Sequence, residues 1–297
     1  MIRSFKKTIR ALVRSHPFNR AVTSALNPLT RRGMLPSQWL ITHFPRIGTV
    51  QAKMPNGLVL KLGSALGDDP IANQVLWLGW DASEPEAIRL FFQLALKAHT
   101  ILDIGAFVGY FSLVAALANP KARVYSFEPV PELQQRLQYN IQLNQLSDRV
   151  TCVPAAVGAA DCSTRFFRGA DAMPTCSSLS QTYAVANCPI VKEIDVNVVQ
   201  LDTWARAQGL EKVDLIKIDV ETGEPDVLTG MKSLLGTCSP DIICEVLHTE
   251  STASRLEAIL KPHQYRFFLV TKEGPRSASH IIADQQWRNY LFSKRSF

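Results

Sequence analysis

Apolar positions along the second two-thirds of the chain follow two alternating periods. Short continuous runs predict buried strands at Thr100–Ile104, Arg123–Phe127, Arg149–Pro154, Val213–Asp219, Asp241–Leu247 and Tyr265–Val270, with a last strand at Arg288–Phe292. Between them, apolar residues recur every three or four positions. That spacing predicts helices over 84–98, 108–118, 131–145 and 251–260. Pro131 suits the first turn of its helix, where Leu133, Leu137 and Ile141 share a face. Val227, Leu228, Met231, Leu234 and Leu235 predict one further helix, stopped by Gly236, and Asp202 is expected to cap a short helix ending at Gly209. Residues 155–200 are irregular, with strands expected at 164–167 and 193–199. Strands alternating with helices imply an α/β fold whose mostly parallel sheet is covered on both faces.

The first third reads differently. Ile2, Phe5, Ile9, Leu12 and Val13 fall on one helical face, Lys6, Lys7, Arg10 and Arg14 on the other, and Pro17 is expected to end that helix. Residues 18–48 show no clear period. Thr49–Met54 and Leu58–Leu62 flank Pro55-Asn56-Gly57, a hairpin signal. The expected division is therefore a basic N-terminal extension of helix and hairpin over 1–67, followed by a catalytic domain over 68–297.

Charge supports that division. The 297 residues carry +6 overall, yet residues 1–67 hold eleven Lys or Arg and no acid, so the remainder is net −5. A nucleic-acid reading of the whole protein from its pI is thereby weakened. The N-terminal helix suits contact with an anionic membrane surface through residues 1–17, an organellar transit peptide, or simple packing on the body. With 46% hydrophobic and 20% charged residues, a disordered chain or a disulfide-stapled mini-protein is excluded. No apolar run reaches the length of a membrane span. The six cysteines form no C-x-x-C pair, and the expected compartment is reducing and cytoplasmic, with attachment at a membrane surface or organellar import left open. Cys152 and Cys244, within apolar runs, read as core residues.

Four segments carry candidate chemistry. In Ile101-Leu102-Asp103-Ile104-Gly105-Ala106-Phe107-Val108-Gly109, a strand turns into a helix through small residues, which lets a ligand approach the backbone at a helix N-terminus. A dinucleotide site would need glycine where Phe107 stands, so a nicotinamide oxidoreductase is disfavoured. Glu128 ends the next strand, where a carboxylate can accept both hydroxyls of a ribose. Lys217-Ile218-Asp219-Val220-Glu221-Thr222-Gly223-Glu224 places three acids within six residues at a strand end. Strand alternation puts Asp219 and Glu221 on one side, where like charges raise each other's pKa or recruit a cation. The plainer reading assigns Glu224 and Asp226 to the positive end of the following helix. Glu245 interrupts a core strand, and His248 beyond it can exchange a proton near neutral pH or simply lie on the surface.

Taken together, ILDIGAFVGYFS, VYSFEP, PAAVG (154–158), SSLS (177–180), KIDVETGEPDVL and ICEVLH resemble the FkbM family of S-adenosylmethionine-dependent methyltransferases, over about 84–250. Two departures stand out: the family commonly has Asn at Phe107, and Gly-Ala after the D-V-E where this chain has Thr222-Gly223. The resemblance implies a class I, Rossmann-like methyltransferase fold of seven strands, the last antiparallel. It implies S-adenosylmethionine as cofactor, with Asp103, Gly105, Ala106 and Gly109 lining the methionine side, Glu128 on the ribose, and Ala155 and Ala156 near the adenine. The implied acceptor is a small-molecule, sugar or glycan hydroxyl. Asp219, Glu221 and His248 are the candidate catalytic groups, one of them as general base. No complete metal-ligand set is legible. An RNA methyltransferase using the basic N-terminus and a non-catalytic protein keeping the fold are the alternatives; the first lacks an amine-methylation motif and an aromatic-rich basic patch.

Overall fold

The computed structural model describes residues 16–171, 173–175, 177–188, 191–247, 251–283 and 288–297. The expected N-terminal helix thus falls outside the described residues, except for its last two positions. Two compact units are present. One takes the described residues up to Pro85 with 142–144, and the other takes the rest.

The first unit contains α1 (His16–Arg31), α2 (Ser37–His43), the hairpin β1 (Gly48–Lys53) and β2 (Val59–Ser64), and α3 (Pro70–Leu78). The hairpin forms as read, antiparallel from Gly48↔Ser64 to Lys53↔Val59, with Asn56 Oδ1 accepting Leu58 N–H at 3.2 Å in the turn. Pro17 is the second described residue of α1, and the helix it was expected to end lies outside the described residues. Buried Asn19 ties α1 to the chain entering β1: its Nδ2 donates to Pro45 O at 2.8 Å, and its Oδ1 accepts Ile47 N–H at 2.9 Å. Asp69 Oδ1 caps α3 by accepting Ala72 N–H, and the buried Trp77 donates to Phe44 O.

In the second unit the chain runs through α4 (Pro85–Ala95), β3 (Thr100–Ile104), α5 (Tyr110–Ala118), β4 (Arg123–Phe127), α6 (Pro131–Leu143), β5 (Val150–Val153), β6 (Ala156–Gly158), β7 (Cys162–Gly169) and α7 (Gln181–Asn187). It continues through β8 (Val191–Gln200), α8 (Leu201–Ala207), β9 (Leu215–Ile218), α9 (Glu224–Thr229), α10 (Lys232–Thr237), β10 (Asp241–Glu245), α11 (Thr252–Leu260), β11 (Arg266–Thr271), β12 (Gly274–Ala278) and β13 (Asn289–Ser293). The central sheet has the order β12-β11-β13-β10-β9-β3-β4-β5. Strands β10, β9, β3, β4 and β5 are parallel neighbours, and β13 lies antiparallel between β10 and β11. The antiparallel last strand is as expected. The count of seven is not: the chain reverses after Thr271, and β12 adds an eighth strand to the outer edge. A separate sheet, β6-β8-β7, is built from the irregular 155–200 stretch.

Buried Leu102, Ile104, Ile216, Ile218, Ile242 and Cys244 on the central strands pack with Val227, Leu228, Leu234 and Leu256 from the covering helices. Cys152 is only half-buried. Among the described residues, Cys188 is disulfide-bonded and Cys152, Cys162, Cys238 and Cys244 are free.

Two local expectations fail for tertiary reasons. The single helix after β9 is broken into α9 and α10 at Gly230-Met231, because Gly230 lies against β6: a Cβ there would sit 2.1 Å from Gly158 O. Asp202 lies inside α8 and caps α10 instead, its carboxylate accepting the N–H groups of Ser233 and Leu234 at 2.8 and 3.0 Å.

Candidate active site

At the end of β3, Gly105 adopts φ 82° and lies directly on the end of β9, where a Cβ would come within 1.8 Å of Asp219 O. Only glycine permits this approach. The N–H groups of Gly105 and Ala106 both donate to Phe127 O at 3.1 and 2.9 Å, and Gly109 N–H donates to Ala106 O at 2.7 Å just before α5. The turn is therefore anchored to β4 on one side and to β9 on the other. Phe107 adopts φ 51° within it, a left-handed conformation unusual for a bulky residue and well tolerated by Asn. Its ring packs against the cluster of Val130, Leu133, Ala156, Phe166, Val196 and Val198.

Asp103 is buried beneath the turn. Its Oδ2 accepts Ser112 N–H at 2.9 Å and Ser112 Oγ–H at 2.5 Å, and Ser112 shares a hydrogen bond with Ser126. The carboxyl thus serves the first turn of α5. Burial raises its pKa to about 6 against those bonds and the charge of Lys217. Glu128, at the tip of β4, spans the turn: Oε2 accepts Phe107 N–H and Oε1 accepts Val130 N–H, each at 2.9 Å. Burial outweighs these bonds and pushes its pKa up to about 8. Ala155, between β5 and β6, and Ala156, which opens β6, are both buried.

The acids after β9 gather by a different route from the one expected. The strand stops at Ile218, so alternation no longer applies; instead Glu221 and Thr222 take φ 56° and 84°, folding the loop back. Oxygens of Asp219, Glu221 and Glu245 then lie within 4.8 Å of one another. Three carboxylates are a donor set that a divalent cation can use. Lys217, 1% exposed, supplies the nearest counter-charge, with Nζ 3.1 Å from Asp219 Oδ2 and 4.9 Å over the Phe111 ring. Burial, then the Asp219 charge, raises Glu221 to about 8. Tyr183 of α7 donates its hydroxyl to Glu221 Oε2. Glu224 is fully buried; its Oε1 accepts Thr222 N–H at 3.1 Å, Oε2 has no partner among the described residues, and burial raises its pKa to about 7. Glu224 thus serves the loop as well as the start of α9. Asp226 stays at the first turn of α9 and pairs with Arg255 at 2.6 Å. His248 lies outside the described residues.

The structure therefore joins the glycine turn, Glu128 and the Asp219–Glu221 acids around the ends of β3, β4 and β9. It adds Glu245, whose position inside an apolar strand was the available signal, and Tyr183, for which no local signal exists.

A family model described as the methyltransferase FkbM domain matches residues 103–267, more than half of the chain. The chain belongs to the FkbM methyltransferase family. Among its relatives, the 31-O-demethyl-FK506 methyltransferase FkbM of Streptomyces tacrolimicus is 25% identical over 203 residues, covering 61% of this chain and 77% of that protein. The 2-O-methyltransferase NoeI of Sinorhizobium fredii is 28% identical over 146 residues, 46% of this chain and 58% of that one. A crystal structure of a methyltransferase FkbM from Methylobacillus flagellatus aligns with a TM-score of 0.46 at 16% identity, over 66% of this chain and 43% of that one. The FkbM match begins at Asp103 and extends into β11, so it takes in the turn, Glu128 and the acid loop alike.

Proposed function

We propose that this FkbM-family enzyme transfers the methyl group of S-adenosylmethionine to a hydroxyl of a sugar or natural-product acceptor. The observation that carries this reading is the direct contact of two loops: Gly105 of the ligand turn rests on the backbone of Asp219, the first of the clustered acids.

The residues fit the cofactor. Each Glu128 oxygen accepts one backbone N–H and keeps a lone pair, which suits two adjacent ribose hydroxyls. Ala155 and Ala156 offer the small apolar surface an adenine needs. Gly105 and Gly109 let the turn pack closely on Asp219 O and Leu137, and the reading places the methionine part beside this turn. When bound, S-adenosylmethionine supplies a methyl group on a positively charged sulfur. The protein's share is to orient the acceptor and to take its proton. Asp219 and Glu221 are the groups for this step. Lys217 Nζ pairs with Asp219 Oδ2 at 3.1 Å, while Glu221, with its pKa raised to about 8, holds or releases a proton around neutral pH. The names of relatives that methylate oxygen support a hydroxyl acceptor. For residues 1–17, the reading is contact with an anionic membrane surface from the cytoplasmic side, checked by flotation of the full chain and of a chain lacking those residues with anionic vesicles.

Methyl transfer from tritiated S-adenosylmethionine to a panel of neutral sugars and hydroxylated natural products tests the reading. Asp219→Asn and Glu221→Gln are expected to lower turnover by about 10²–10⁴-fold. Affinity for S-adenosylhomocysteine should stay within about twofold of the parent. Full turnover in both variants would contradict the assignment of the base.

A further inference from the structure

Glu221 is held from two sides by one segment. Ser178 Oγ donates to Glu221 O at 2.6 Å, and the Tyr183 hydroxyl donates to the carboxylate of the same residue. The segment that brings both is itself fixed. Ser178 pairs through its backbone with Phe167 of β7 at 2.8 and 2.9 Å, its Oγ accepts Ser180 N–H at 2.9 Å, and Ser180 Oγ caps α7 by accepting Tyr183 N–H at 3.3 Å. Glu221 needs such support. Its own backbone and that of Thr222 are left-handed, a conformation disfavoured for non-glycine residues. Its carboxylate also faces Asp219, Glu224 and Glu245, with Lys217 as the opposing charge. Left alone, like charges would turn it away from the cluster. A lysine or arginine could hold it there only by suppressing its basicity, whereas a neutral phenol holds it and leaves it able to take a proton. Burial, and then the Glu221, Glu245 and Asp219 carboxylates, push the Tyr183 phenol above its usual range, so it remains a donor.

We propose that Tyr183 is a positioning residue for methyl transfer: it holds the Glu221 carboxylate beside Asp219 and Glu245 in a single orientation toward the acceptor, while Ser178 fixes the backbone of the same residue. This rests on the reading of Asp219 and Glu221 as the proton-accepting groups. It also gives the 177–187 segment a task, since one stretch of chain then sets both the backbone and the carboxylate geometry of the base.

The test uses the full chain saturated with S-adenosylhomocysteine, and compares parent, Tyr183→Phe, Glu221→Gln and Glu221→Ala by hydrogen exchange of the peptides covering 177–187 and 219–224. The Gln side chain can still accept the phenol proton; Ala cannot. Faster exchange is expected in Tyr183→Phe and Glu221→Ala and parent-like exchange in Glu221→Gln. In turnover assays on the hydroxyl panel, Tyr183→Phe should lower kcat about tenfold, with the KM for S-adenosylmethionine unchanged. Parent-like exchange in Tyr183→Phe, or a parent-like kcat, would overturn the proposal, as would a loss confined to the cofactor's KM. A Glu221→Gln enzyme with full turnover would instead contradict the base assignment, and the exchange comparison would still decide whether Tyr183 tethers the loop. If no acceptor on the panel turns over, the exchange pattern alone supports or overturns the tether.

Discussion

Phe107 shows how one side chain can depart from a family pattern without abandoning the site. The position is left-handed, which explains why Asn is common there in the family: Asn tolerates that conformation, and a bulky side chain does not. Here the ring recovers some of the strain by packing on Val130, Leu133 and Ala156. Phe107→Ala keeps the strain and loses the packing, whereas Phe107→Asn loses the packing but relieves the strain. Denaturant unfolding should therefore find the Ala variant the less stable of the two, by about 1 kcal/mol. Glu224 supports a second prediction at this scale. Its pKa of about 7 lies above that of an unfolded glutamate, so the folded state binds more protons. Its contribution to stability is complete below about pH 4 and is lost as the pH rises toward 7. Gln in its place cannot ionise and keeps the acceptor for Thr222 N–H. Unfolding measured at pH 5 and pH 8 should show Glu224→Gln gaining on the parent by about 1–3 kcal/mol between the two.

At the scale of elements, the legible parts are those whose own residues record how they are buried. The parallel strands are buried on both faces and read as continuous apolar runs, so β3, β4, β9 and β10 were visible from residues such as Ile101, Ile216 and Ile242. Of the β6-β8-β7 sheet, the strands expected at 164–167 and 193–199 lie within β7 and β8, but β6 was not visible, and the start of β7 exposes Cys162, Ser163, Thr164 and Arg165 in succession with little alternation. The break between α9 and α10 was hidden for another reason: apolar spacing continues through Met231, and only the approach of β6 to Gly230 interrupts it. Gly230→Ala should force the two apart and destabilise the fold by about 1–3 kcal/mol, as read from the denaturation midpoint. Parent-like stability would mean that the close approach is not needed.

Across the whole molecule, the site is an intersection of strand ends, and its two halves differ in legibility. Gly105, Glu128, Asp219 and Glu221 stand at the ends of strands that the apolar pattern identifies, so their convergence follows from the topology. Glu245 and Tyr183 join them through a loop reversal at Glu221-Thr222 and a helix carried by the second sheet, neither of which has a local pattern. The central claim is that the glycine turn and Glu128 together hold the adenosyl part of the cofactor, apart from the acids that serve the acceptor. Calorimetric titration of S-adenosylhomocysteine into the parent protein, Glu128→Ala and Asp219→Asn tests it most directly. The account predicts one site per chain in the parent, affinity lower by tenfold or more in Glu128→Ala, corresponding to about 1.4 kcal/mol, and parent-like affinity in Asp219→Asn. No binding to the parent, or equal binding by Glu128→Ala, would contradict it.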